Sequence, residues 1–60
     1  MIEYRVTVHV YDRRVTLQMF KHLQAAIEFA RTLTGPGRVE VLEDSASGLV
    51  VKWTDTEGAL

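Results

Sequence analysis

The sixty-residue sequence contains no cysteine. This absence excludes disulfide bonds and thiolate metal sites, which are the two usual supports of very small domains. A chain this short buries only about 60% of the surface that its unfolded form exposes. We therefore expect either a single core of marginal stability or a second chain that adds to the burial.

Long apolar runs and a strong net charge are also missing. No segment approaches the roughly 18 to 20 apolar residues that span a bilayer, and the N-terminal residues lack the basic start and apolar stretch of a signal peptide. The formal net charge is −1, so the chain as a whole is not attracted to nucleic acid or to an anionic membrane. We expect a cytoplasmic protein that does not bind membranes.

Residues suited to catalysis or metal binding are few and scattered along the sequence. The two histidines, His9 and His22, have no further ligands at a spacing that completes a zinc site. Ser45 and Ser47 lie in a polar turn, with no histidine at helical or strand spacing to activate them. We therefore predict no metal, no cofactor, no catalytic residue and no enzymatic activity.

Alternation of apolar and polar residues predicts two strands at the start of the chain. Apolar residues occupy the even positions from 2 to 10, the period of two that is typical of a half-buried strand. Asp12-Arg13 interrupts this alternation, and Val15 and Leu17 resume it. The pattern predicts a tight hairpin that leads into a second strand.

A change of the apolar spacing to three and four residues predicts a helix of about 14 residues that begins near Phe20 and reaches Leu33. No Ser, Thr, Asp or Asn marks its start at a convincing cap position. Gly35-Pro36-Gly37 ends the helix, because glycine takes the left-handed cap conformation and proline cannot continue the hydrogen-bond ladder. Alternating runs at 39–42 and 49–53 then predict a second hairpin.

These elements predict a two-layer α+β fold of ββαββ order over residues 1–54, with residues 55–60 as a flexible tail. One helix covers a four-stranded, mainly antiparallel sheet, and the preferred strand order is 2-1-3-4. Pairing of the hairpins through strands 2 and 4, or exchange of hairpins between chains, is left open. The residues predicted to face the helix are Tyr4, Val6, Val8, Val10, Val15, Leu17, Val39, Val41, Leu49, Val51 and Trp53.

The sheet face away from the helix, called the open face below, has no cover in a monomer. It is predicted to carry Glu3, Thr7, Thr16, Gln18 and Glu40 besides the contact residues named next. Such a face is commonly solvated, but its apolar members favour contact with a protein partner or a second copy, as a homodimer, through this face or an edge strand. The predicted contact residues are Arg5, His9, Tyr11, Leu42, Val50 and Lys52.

An arginine-rich end supplies an alternative function. The predicted hairpins bring Arg13, Arg14, Arg31 and Arg38 to one end of the domain, and guanidinium groups bind phosphates bidentately. The same arginines also serve solubility and complement the negative end of the helix dipole. The alternative to protein contact is therefore a nucleic-acid-binding accessory or regulatory protein that uses these four arginines.

Overall fold

A computed structural model describes residues 2–35 and 37–55. The element order is β1 (Glu3–Val10), β2 (Arg13–Phe20), α1 (Leu23–Arg31), β3 (Arg38–Ser45) and β4 (Gly48–Thr54). The strands form one antiparallel sheet in the order β2-β1-β3-β4, and α1 packs on one face of it. The predicted two-layer α+β fold and its preferred strand order are confirmed. Most of the predicted tail, residues 56–60, lies outside the described residues.

The regular centre of the sheet is the pairing of β1 with β3. Seven consecutive residue pairs join these strands without a register shift. Val6 lies opposite Val41, and both are fully buried beneath the helix with Ala26 and Ala30. Alanine adds no side-chain atom beyond Cβ, so the sheet and the helix can pack closely at this point. The alternation predicted for β1 and β3 therefore places the core correctly.

A β-bulge in β2 reverses the side-chain alternation along that strand. Thr16 lies opposite Thr7, whereas Gln18 lies opposite the neighbouring Val6, so Leu17 is an extra residue in the ladder. Beyond the bulge, each side chain takes the face opposite to the one that simple alternation predicts. The prediction that Gln18 belongs to the open face is wrong, because its opposite neighbour Val6 lies in the core.

The helix begins later than the sequence predicts, because β2 extends to Phe20. Phe20 ends β2 on the helix side of the sheet, where its ring centroid lies 5.5 Å from that of Phe29. α1 begins at Leu23 and has nine residues, and its N-cap His22 is extended and makes no side-chain cap hydrogen bond. The prediction that Phe20 belongs to the helix is wrong because this residue completes the strand that precedes it.

A second bulge reverses the alternation in β4. Trp53 lies opposite Val41 on the helix side, as predicted, but Val51 lies opposite Leu42. One step along β3 thus corresponds to two steps along β4, and Lys52 is the extra residue. The bulge separates a short uncharged segment of β4 from the part of the strand that follows the predicted alternation.

This second bulge exchanges the predicted faces of three aliphatic residues. Leu49 and Val51 lie on the open face, while Val50, opposite Glu43, lies on the helix side. The predictions that Leu49 and Val51 face the core, and that Val50 faces the open side, are wrong for this reason. About half of each of these residues remains exposed, because the open face has no covering layer and because α1, on the other face, packs mainly against β1, β3 and β2.

Tyr11 is strained in the hairpin between β1 and β2. It has a φ of 57°, the only positive φ among the described non-glycine residues. The left-handed conformation costs an L-residue about 1–2 kcal/mol. The side chain is 97% exposed, so its packing does not offset this cost. The predicted contact residue thus lies at the tip of the turn.

We expect the Tyr11→Gly variant to be more stable than Tyr11→Ala by about 0.5–1 kcal/mol. Both changes remove the same exposed ring, but only glycine also removes the Cβ that makes positive φ costly. Urea unfolding followed by Trp53 fluorescence measures the two free energies of unfolding. Equal stability of the two variants would contradict the strained turn.

Gly37 lies where the segment after the helix approaches the end of β1. Its φ is 97°, and a Cβ at this position would lie 2.6 Å from Val10 Cγ2 and 2.9 Å from the carbonyl oxygen of His9. The carbonyl belongs to the strand that pairs with β3, so it cannot move without disturbing the sheet. Only glycine fits this position.

We expect Gly37→Ala to lower the free energy of unfolding by about 2–4 kcal/mol, the sum of left-handed strain and steric overlap. Gly35→Ala is the matched control, because Gly35 also has a positive φ, 127°, but has open space around the added methyl group. The free energy of unfolding of the control should fall by the strain alone, about 1–2 kcal/mol. Chemical denaturation of both variants checks this, and equal losses would show that the overlap at Gly37 is unimportant.

Candidate functional site

Glu40 is the centre of a charged cluster on the open face. Its side chain is only 7% exposed. Arg14 Nε donates to Glu40 Oε1 at 3.1 Å, and Arg38 Nε lies 3.5 Å from Oε2. Arg38 Nη2 also lies 3.3 Å from His9 Nδ1. We call Arg14, Arg38, Glu40 and His9 the Glu40 cluster.

The geometry of the Glu40 cluster follows from strand register. Arg14 on β2, His9 on β1 and Arg38 on β3 are successive neighbours across the sheet, and Glu40 lies two residues along β3 from Arg38. A buried carboxylate is costly unless it is paired and hydrogen-bonded. Two arginines from different strands meet this need, so the cluster has a structural role at the sheet centre.

A second ion pair on the open face joins Arg5 to Asp44, on either side of Leu42 in the sheet. Arg5 Nε and Nη2 lie 2.9 and 2.8 Å from Asp44 Oδ2. Leu42 lies between Arg5 on β1 and Val51 on β4, and Asp44 is two residues farther along β3. Leu42 is 2% exposed. The prediction that Leu42 offers a contact surface is wrong, because its neighbours already bury it.

The centre of the open face is polar and already occupied by its own side chains. Next to Glu40 on the same face lies Thr7, which is 1% exposed and whose Oγ1 has no hydrogen-bond partner among the described residues. Lys52, at the β4 bulge, reaches Glu43 with its Nζ 4.0 Å from Oε2. The six predicted contact residues therefore do not form one surface.

The four predicted phosphate-binding arginines are also separated. Arg14 and Arg38 lie on the open face and share the carboxylate of Glu40. Arg13 lies opposite Val10, on the other face of the sheet, and Arg31 is exposed in the last turn of α1. The arginine end thus presents two guanidinium groups that share one carboxylate on one face, and Arg13 and Arg31 lie elsewhere.

Exposed aliphatic side chains are instead concentrated on the two edge strands. Apart from Ile2 before β1, they are Val15, Leu17 and Met19 on β2, and Leu49, Val50 and Val51 on β4. The β2 residues alternate with polar side chains and follow two arginines. The β4 residues are consecutive, and the segment from Gly48 through them carries no charge. We call Leu49, Val50 and Val51 the β4 edge.

The sequence contained a signal for the β4 edge. Strict alternation on a half-buried strand places every second residue on the polar face, so at least one of three consecutive aliphatic residues lacks a core position whichever parity is chosen. The exposures of Leu49, Val50 and Val51 are 53%, 51% and 48%. Leu49 and Val51 face the open side, and Val50 lies on the helix side near the edge that α1 contacts least.

Residues 2–35 and 37–55 form neither a metal site nor a pocket. No group of three or more His, Asp or Glu side chains in these ranges could hold a metal ion, and no pocket opens between them. The same residues contain no helix long and apolar enough to cross a bilayer. Among them, the β4 edge is the longest run of consecutive exposed aliphatic residues.

Comparison with known proteins gives no family assignment. The chain matches no protein-family model, no curated protein and no solved structure.

We expect Arg14→Met and Arg38→Met to be strongly non-additive. Each single change leaves Glu40 with one cationic partner and should cost about 1 kcal/mol, because both arginines are partly exposed. The double variant leaves a buried carboxylate unpaired, and its cost should exceed the sum of the singles by about 1 kcal/mol or more. Chemical denaturation of the four proteins in the cycle measures this coupling.

The same cycle in a Glu40→Gln background is the control. Without the carboxylate, the two arginine changes should add within about 0.5 kcal/mol. Equal coupling in both backgrounds would show that the arginines interact through something other than Glu40.

Proposed function

We propose that this chain is a small, non-enzymatic protein-interaction module that self-associates through the β4 edge. The observation that carries the proposal is the exposure of three consecutive aliphatic side chains on an edge strand that the helix does not cover. Edge strands also present unpaired backbone N–H and C=O groups, which another strand can satisfy. The β4 edge thus combines backbone pairing with apolar burial.

The strength of such a contact can be bounded from its composition. Full burial of a valine or leucine side chain is worth about 1.5–3 kcal/mol, so each half-exposed residue of the β4 edge offers about 1 kcal/mol. Association costs at least about 4 kcal/mol in lost freedom. A short edge also buries less than the roughly 1,200 Å² of a standard interface. We therefore expect a weak, concentration-dependent complex.

The other exposed strand is a poorer candidate than β4. β2 begins with Arg13 and Arg14, and its aliphatic side chains are separated by Thr16 and Gln18. Charged residues at a sheet edge disfavour pairing with another strand. The segment Gly48–Val51 has no such protection.

A second copy of the chain is the occupant that fits the β4 edge best. A chain of sixty residues has little core to spare, and association with its own copy adds burial without a separate partner. The same apolar, uncharged segment on both copies is self-complementary, as a two-fold contact requires.

We expect the molar mass of the protein to rise from monomer towards dimer as its concentration increases into the millimolar range. Light scattering on a size-exclusion column and sedimentation equilibrium measure this. Val50→Lys should weaken association by at least about tenfold, because a charge is then brought into the contact. Val50 lies beside Glu43, so the lysine has an acidic neighbour within its own chain and the fold should survive.

Val15→Lys is the matched control for this experiment. Val15 is 51% exposed, as Val50 is, and it lies on the opposite edge of the sheet. Its change should leave association unaltered. A monomer at every concentration, or equal weakening by the two changes, would contradict the proposal.

A further inference from the structure

We infer that two copies pair their β4 strands antiparallel about a two-fold axis at Val50, and thereby join two four-stranded sheets into one continuous sheet of eight strands. This inference rests on the proposed function and specifies the register of that contact. It assigns to each residue of the β4 edge a defined neighbour in the second copy.

Symmetry limits the registers that are available. A two-fold axis perpendicular to the sheet relates two antiparallel edge strands and keeps both helices on the same side. Residues opposite each other in an antiparallel pair must share a face. Val50 lies on the helix side, whereas Leu49 and Val51 lie on the open face. Val50 can therefore oppose Val50 of the second copy, but it cannot oppose Val51.

Among the allowed registers, only one opposes aliphatic residues throughout. With the axis at Val50, Leu49 opposes Val51 of the second copy, and Val51 opposes its Leu49. With the axis at Leu49, Val50 would oppose Gly48 of the second copy and Val51 would oppose its Ser47. With the axis at Val51, Val50 would oppose Lys52 of the second copy. The register centred on Val50 is the one in which all three residues of the β4 edge meet apolar partners.

The ends of this paired segment are compatible with the contact as well. In this register Lys52 opposes Gly48 of the second copy, and the space above Gly48 is open, because a Cβ placed there would have no neighbouring atom within 4 Å. Lys52 therefore meets no side chain across the contact and can keep its own neighbour Glu43. Two like charges do not oppose each other in the paired segment.

Single cysteine variants test the register, because the natural chain has no cysteine. Val50→Cys should form a disulfide-linked dimer on mild oxidation with copper phenanthroline at high protein concentration. Its yield should be at least about tenfold above that of Val15→Cys, the equally exposed control, since a disulfide needs Cβ atoms about 3.5–4.5 Å apart. Non-reducing electrophoresis with mass spectrometry quantifies the products.

The neighbouring positions distinguish this register from others. A mixture of Leu49→Cys and Val51→Cys should give the mixed dimer in large excess over either self-linked dimer. In this register, two residues at position 49 are offset by two strand positions, or about 6–7 Å along the strand. A predominant self-linked Leu49→Cys or Val51→Cys product would overturn the register.

The outcomes separate this inference from the proposed function. A dimer that Val50→Lys disrupts, but that Val50→Cys fails to link above the Val15→Cys level, would overturn the register and leave association through β4 in place. A wild-type chain that remains monomeric at every concentration would overturn both. A strong Val50→Cys product together with the mixed dimer would support the two-fold pairing.

Discussion

The pairing of β1 with β3 is the constraint on which the rest of the molecule depends. These strands are distant in sequence, and they pair over seven positions without a shift. Their alternation determines which residues lie on each face of the sheet, with Val6 and Val41 beneath the helix and Thr7 and Glu40 on the other side. Both edge strands carry a bulge, so irregularity is confined to the outer ladders.

The central alternation also explains why a carboxylate is buried without a covering layer. Glu40 faces away from the helix, yet its side chain is buried and ion-paired with Arg14 from β2 and Arg38 from its own strand. Arginine can do this because its long stem covers apolar surface while its guanidinium group forms the ion pair. The centre of the open face is therefore covered by its own side chains, and the exposed aliphatic residues of the strands lie on the edge strands β2 and β4.

The sequence predicted the parts of the fold that depend on period alone. The alternation in β1 and β3, the presence of one helix and the strand order followed from residue spacing and chain direction. The faces of β2 and β4 did not, because counting by twos fails beyond an inserted residue. Neither Leu17 nor Lys52 carries a sequence mark that distinguishes a bulge from an ordinary strand residue. Phe20 was assigned to the helix because the extra residue Leu17 moves it off the simple alternation of β2.

The candidate site was predicted in kind but not in position. An exposed edge strand was among the expected contact surfaces, whereas Leu42 was expected to be exposed and is buried. Parity gives the direction of a side chain, but it does not show which neighbours will lie over it. Leu42 lies between Arg5, which is ion-paired with Asp44, and Val51, an arrangement that depends on register.

The difference between the two edge strands determines whether association would give a closed dimer or an open filament. A contact in which β4 met β2 of the next copy would leave a free β2 and a free β4 at the ends, and it would continue into a filament. Pairing of β4 with itself uses both β4 edges and leaves only β2 exposed. Arg13 and Arg14 begin that strand, and charge at an edge discourages further pairing. Two arginines at the start of one edge strand and three consecutive aliphatic residues on the other thus favour a closed dimer over an open assembly.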